Sequence, residues 1–194
     1  MFRNTTMDRN NAIREAQDFL AQKPIYLDTE TTGLKDNDEI VEIAIIDHDG
    51  SILFDELVRP AKKIPFDATR IHGITDSMVA SARKWPVIWP LVRIIIISRM
   101  TGIYNAEYDV RMMKQSFTNY GLPWKDTLRT FDVIALYSKY YGEWDSRRAS
   151  YRYQSLKKAG GHFRIPLQNS HRAKDDCLLT RDVLHHIANS KIEE

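Results

Sequence analysis

Residues 27–34 read LDTETTGL, and the interpretation of the whole chain turns on this stretch. Ile25-Tyr26-Leu27-Asp28 has the composition of a short buried strand. Asp28 and Glu30 stand two apart at its end, and strand residues two apart point to the same side. At an effective dielectric of 20, two like charges about 4 Å apart repel by about 4 kcal/mol. A bound divalent cation offsets that repulsion, and hard oxygen donors suit Mg²⁺ or Mn²⁺. The alternative is that one carboxylate turns into solvent as the strand ends in Thr31-Thr32-Gly33.

Reading outward, Asn11–Ala21 carries Ile13, Ala16, Phe19 and Leu20 at helical spacing, and Pro24 ends it. Ile40–Asp47 and Ser51–Val58 form two strands joined by a tight turn at His48-Asp49-Gly50. Thr75 caps a short helix to Ser81. Pro86–Ile97 fits a strand by its β-branched residues and a helix by its length, with a strand following at Thr101–Tyr104. Asn105 caps a helix from Ala106 to Phe117. Thr130–Tyr140 reads as a helix, Leu156–Ala159 as one stopped by Gly160-Gly161, and Ala173–Ala188 as the last. Strands first, then strands alternating with helices, predict an α/β fold with a mixed sheet flanked by helices.

Two further carboxylates stand out. Asp109 falls on or beside the apolar stripe of Ala106, Val110, Met113 and Phe117, although a carboxylate in a first turn also complements the helix dipole. Asp176 lies in the first turn of the last helix, next to the stripe of Ala173, Cys177, Leu184, Ile187 and Ala188. His171 precedes that helix on a loop and must reach any shared site from there.

With these residues in view, the chain resembles the DEDDh group of 3′→5′ exonucleases, the family of the proofreading subunit of bacterial DNA polymerase III. The resemblance rests on LDTETTGL (27–34), RIHGIT (70–75), YNAEYD (104–109) and HRAKDD (171–176), in the family's order. It implies a ribonuclease-H-like fold, a mixed five-stranded sheet with helices on both sides. It implies that Asp28, Glu30, Asp109 and Asp176 hold two Mg²⁺ or Mn²⁺ ions, and that His171 is the general base. It further implies that Thr31, Leu34, His72, Asn105 and Tyr108 line the pocket for the 3′-terminal nucleotide. For Leu34 and Tyr108 the alternative is core packing; for His72 it is holding its own loop. Tyr104 replaces a frequent histidine, a change expected to alter stacking of that nucleotide, and Lys174 adds a phosphate contact or points outward.

Composition narrows the rest. The 194 residues carry 28 Lys and Arg against 26 Asp and Glu, but the charge is divided. Residues 28–56 hold ten acidic side chains and one basic, while 139–181 hold ten basic and four acidic. The basic segment, with Arg147, Arg148 and Arg152, suits a nucleic-acid backbone. Cys177 is the sole cysteine, which excludes an intramolecular disulfide and a cysteine-rich zinc site. The longest aliphatic run is Ile94–Ile97, far short of the roughly 20 residues of a membrane span. The expectation is one exonuclease domain over 1–194, with 1–22 as a helical extension, working in the cytoplasm without a membrane. Its expected partner is a nucleic acid 3′ end, DNA favoured over RNA, with a polymerase or repair partner or a homodimer left open. The rivals are the same chemistry on RNA and a module that binds nucleic acid without cleaving it.

Overall fold

The computed structural model describes residues 5–166 and 170–193; residues 1–4 of the expected extension lie outside them. Helix α1 (Thr5–Ala21) leads into β1 (Ile25–Thr31), β2 (Ile40–Ile46) and β3 (Ile52–Leu57). Helices α2 (Phe66–His72), α3 (Asp76–Val79) and α4 (Trp85–Ile96) follow, then β4 (Thr101–Ile103) and α5 (Ala106–Thr118). Next come β5 (Thr130–Asp132), α6 (Val133–Tyr141), the ribbon β6 (Trp144–Asp145) and β7 (Ser150–Tyr151), α7 (Leu156–Phe163) and α8 (Ala173–Ala188).

The main sheet has five strands in the order β3-β2-β1-β4-β5. β1 pairs antiparallel with β2 and parallel with β4, so the sheet is mixed, as the sequence predicts. Residues of α1, α6, α7 and α8 form one core against the sheet, around Ile13, Tyr26, Tyr137, Cys177 and Leu184. Residues of α4 and α5 form the second core on the opposite face, around Leu27, Ile43, Trp85, Ile88 and Met112. Trp85, Trp89 and Trp124 pack there with Phe117, which accounts for three of the four tryptophans.

Three local expectations need correcting, and one open reading is decided. Thr130–Asp132 is a strand, not the start of a helix, because it pairs in parallel with Thr101–Ile103. The helix begins only after Asp132, whose carboxylate accepts from Ile134 N at 3.0 Å. Gly160-Gly161 does not stop α7; Gly160 lets the helix lie flat on Leu179, where an added Cβ would sit 3.0 Å from Cδ1. Pro86–Ile97 resolves as helix. Thr75 and Asn105 occupy N-cap positions, but neither side chain makes a cap bond. Thr75 Oγ1 bonds the Ser77 hydroxyl instead, at 2.8 Å.

Candidate active site

Strand β1 serves both faces of the sheet. Tyr26 joins the core on the α8 side, while Ile25 and Leu27 join the one on the α5 side. Alternation then sends Asp28 and Glu30 towards α8, and Thr29 and Thr31 towards α5. On the α8 side, one oxygen from each of Asp28, Glu30 and Asp176 lies within 4.8 Å of the others. On the α5 side, Thr29 Oγ1 donates to Asp109 Oδ1 at 2.7 Å. Thr31 Oγ1 and the Tyr108 hydroxyl share a hydrogen bond of 2.6 Å.

The electrostatics follow from this crowding. Burial, then the charges of Asp109, Glu30, Asp176 and Glu42, push the Asp28 carboxyl well above the usual range. Burial, followed by Asp176, Glu42 and Asp109, pushes Glu30 up to about 8, and Arg172 opposes the rise. Burial pushes Asp109 up to about 7 against the hydrogen bond from Thr29. A set of carboxylates that resist ionisation together, all offering hard oxygen, fits a divalent cation.

Asp109 is 2% exposed and lies outside the close trio, turned to Thr29. His171 is also outside it, on the exposed loop before α8, with φ at 53°. The remaining expected residues, Thr31, Leu34, His72, Asn105 and Tyr108, line one cleft of about 830 Å³ that also includes Glu30. Leu34 is 75% exposed on its rim, which excludes the core-packing alternative. His72 is buried and does hold its loop: Ile74 N donates to Nδ1 at 3.0 Å, and Nε2 donates to the Thr31 carbonyl at 3.2 Å. Tyr108 is half-buried and donates to the Gly33 carbonyl at 3.2 Å.

Gly33 explains its place in the motif. Its φ is 152°, and a Cβ would lie 2.6 Å from Asp38 Oδ2. Asp38 in turn accepts from Thr32 Oγ1 (2.8 Å), Lys35 N (2.7 Å) and Lys62 Nζ (2.6 Å), which fastens the loop carrying Leu34.

The Tyr104 ring is buried in the core, and its hydroxyl donates to the Gln154 carbonyl at 2.8 Å. Lys174 turns to Asp55, at 3.9 Å. The sequence reading does not single out Glu42, which bonds Arg172 and the backbone of Ala173 beside the carboxylate trio. Its signal is a lone carboxylate inside the apolar run IVEIAII.

This arrangement can be set beside known proteins. The family model described as Exonuclease (RNase_T) matches residues 25–184. The chain belongs to this exonuclease family. Among relatives of the exonuclease, the protein named "Uncharacterized exonuclease CP81" of Escherichia phage 186 is 38% identical, covering 90% of this chain and 93% of the relative. DNA polymerase III subunit epsilon of Treponema pallidum is 31% identical over 82% of this chain and 75% of the relative. The PolC-type DNA polymerase III of Clostridium perfringens is 30% identical, but the exonuclease spans only 11% of its length. A solved structure of Exonuclease X in complex with 5′ overhanging duplex DNA superposes with a TM-score of 0.63 and 28% identity, covering 85% of this chain and 90% of that one. The nuclease domain of 3′hExo, described as a DEDDh family member bound to rAMP, shares the fold at a TM-score of 0.68 and 14% identity, covering 89% and 96%. The exonuclease is thus a nuclease hydrolase with a ribonuclease-H-like fold. No helix among its described residues is long and apolar enough to cross a membrane.

Proposed function

We propose that this exonuclease removes nucleotides one at a time from the 3′ end of DNA, single-stranded or frayed, releasing nucleoside 5′-monophosphates. The observation that carries the reading is the convergence of Asp28, Glu30 and Asp176, with Glu30 lining a cleft whose rim holds an exposed Leu34. Asp28, Glu30, Asp109 and Asp176 would hold two divalent cations, Mg²⁺ or Mn²⁺. When bound, such ions lower the pKa of water and stabilise the leaving oxygen.

The chain's own residues supply the rest. His171 accepts the proton of the water that attacks the last phosphate. The bond from phosphorus to the 3′ oxygen breaks, leaving a shortened strand with a free 3′ hydroxyl. Thr31, His72, Asn105 and Tyr108 shape the floor that seats the terminal nucleotide. Leu34 packs against its base, a contact that ignores sequence because every base has an apolar face.

DNA is favoured over RNA because relatives that cover most of this chain are named for DNA polymerase III, and Exonuclease X was solved with DNA. The name of the Treponema pallidum relative also makes a polymerase the partner to test by co-purification. The deciding experiment is a 3′-end-labelled ladder on single-stranded DNA, frayed duplex DNA and RNA, with Mg²⁺, Mn²⁺ or EDTA. Stepwise shortening of DNA that stops in EDTA is expected. Equal or faster shortening of RNA would move the substrate to RNA, and no shortening of any strand would sink the nuclease reading.

A further inference from the structure

All seven residues of β2 are buried, and Glu42 within it is 2% exposed. A carboxylate so placed must find donors. Glu42 finds them on one short segment. Arg172 Nε donates to Oε1 at 3.0 Å and to Oε2 at 3.1 Å, and Arg172 Nη2 also donates to Oε1. Ala173 N donates to Oε2 at 2.9 Å. Ala173 is the first residue of α8, and Arg172 in the N-cap position makes no side-chain cap of its own. Glu42 therefore caps, from a strand distant in sequence, a helix that lacks a local cap.

The location gives this bond its consequence. Glu42 stands directly across from Glu30 in the β1–β2 register. The segment it grips is flanked by His171 on one side and, one turn into α8, by Asp176 on the other. We propose that Glu42 is a positioning residue whose clamp on Arg172 and Ala173 sets where α8 meets the sheet, and so fixes Asp176 against Asp28 and Glu30. The same clamp occupies Glu42, keeping a further carboxylate beside Glu30 from taking a cation itself. The inference rests on the metal-dependent nuclease reading above.

The test uses the whole chain and three variants, Glu42→Gln, Arg172→Gln and Arg172→Lys. Mn²⁺ binding is measured by calorimetry, Tm in EDTA, and kcat and KM on 3′-labelled DNA at a temperature where each variant is folded. Partners that orient metal ligands typically contribute about 10–100-fold to affinity or activity. Glu42→Gln and Arg172→Gln are expected to lose about tenfold or more in Mn²⁺ affinity and in kcat, with KM little changed, and Arg172→Lys to recover part of both. If Glu42→Gln matches the wild type in Mn²⁺ affinity and kcat, the proposal is overturned whatever its Tm. Should Glu42→Gln fail to fold, Arg172→Gln decides, and wild-type values there overturn the proposal. A wild type that binds no Mn²⁺ would instead bring down the metal-dependent reading itself.

Discussion

Thr29 Oγ1 donates to Asp109 Oδ1 at 2.7 Å, joining the first strand to the fifth helix across 80 residues of chain. The hydroxyl opposes the burial that pushes Asp109 up to about 7. Thr29→Val keeps the shape and removes the donor, so the Asp109 carboxyl should hold its proton more strongly. A hydrogen bond to a charged group contributes about 1.5–3 kcal/mol. Denaturant unfolding should show a loss of about that size, and Mn²⁺ affinity near neutral pH should fall. An unchanged Mn²⁺ affinity would mean that Asp109 does not serve the ions.

Glu30 gives a pH-dependent test. Its carboxyl is pushed up to about 8 in the folded chain, from 4.5 for the free side chain. A folded pKa above the unfolded one gives stability that is complete below the unfolded pKa and is lost as pH rises through the folded pKa. In EDTA, Glu30→Gln should therefore melt a few degrees above the wild type at about pH 9, with the gap closing towards about pH 4. Thermal scans across that range check the sign, and a gap that does not change with pH contradicts it.

Leu34 separates function from stability. At 75% exposure it has little packing to lose, so Leu34→Ala should shift unfolding free energy by no more than about 0.5 kcal/mol. A stacked base contact contributes about 1–3 kcal/mol. Degradation of single-stranded DNA should accordingly slow by about tenfold in kcat/KM at unchanged Tm. Wild-type kinetics would remove Leu34 from the proposed nucleotide pocket.

Gly33→Ala should do the reverse of a neutral surface change. The backbone there, at φ 152°, disfavours any side chain, and the new Cβ would press on Asp38 Oδ2. Strain of this kind costs on the order of 1–3 kcal/mol. Loss of both Tm and activity is expected, since Asp38 fastens the loop that carries Leu34. A variant with wild-type Tm would show that the loop relaxes freely.

His171→Ala addresses the proton acceptor alone. Its turnover should drop by about 10²–10⁴-fold, while Mn²⁺ binding stays near that of the wild type. A parallel loss of Mn²⁺ binding would recast His171 as a ligand.

Much of this architecture is legible in the sequence because β1 and β2 alternate or run apolar over seven residues each, long enough for the pattern to register. β5 is not legible: Thr130–Asp132 is too short to show a period, and only its pairing with Thr101–Ile103 makes it a strand. The glycines of α7 read as a stop, although Gly160 instead lets α7 pack closely on Leu179. In the site, the spacing of Asp28 and Glu30 announces a shared face, whereas the carboxylate from α8 meets them only through the tertiary fold. Glu42 escapes notice for a related reason: its partners lie 130 residues away, and nothing local in IVEIAII names them.

Carboxyls that cling to hydrogen ions near neutrality make Asp28, Glu30 and Asp109 a small reservoir of exchangeable acid. Loading a cation there must expel those hydrogen ions into solution. The measured heat of loading should therefore depend on the buffer that catches them, and apparent affinity should climb with alkalinity. Ordinary acidification of the surroundings would then act as a brake, emptying the cleft without any change in the fold.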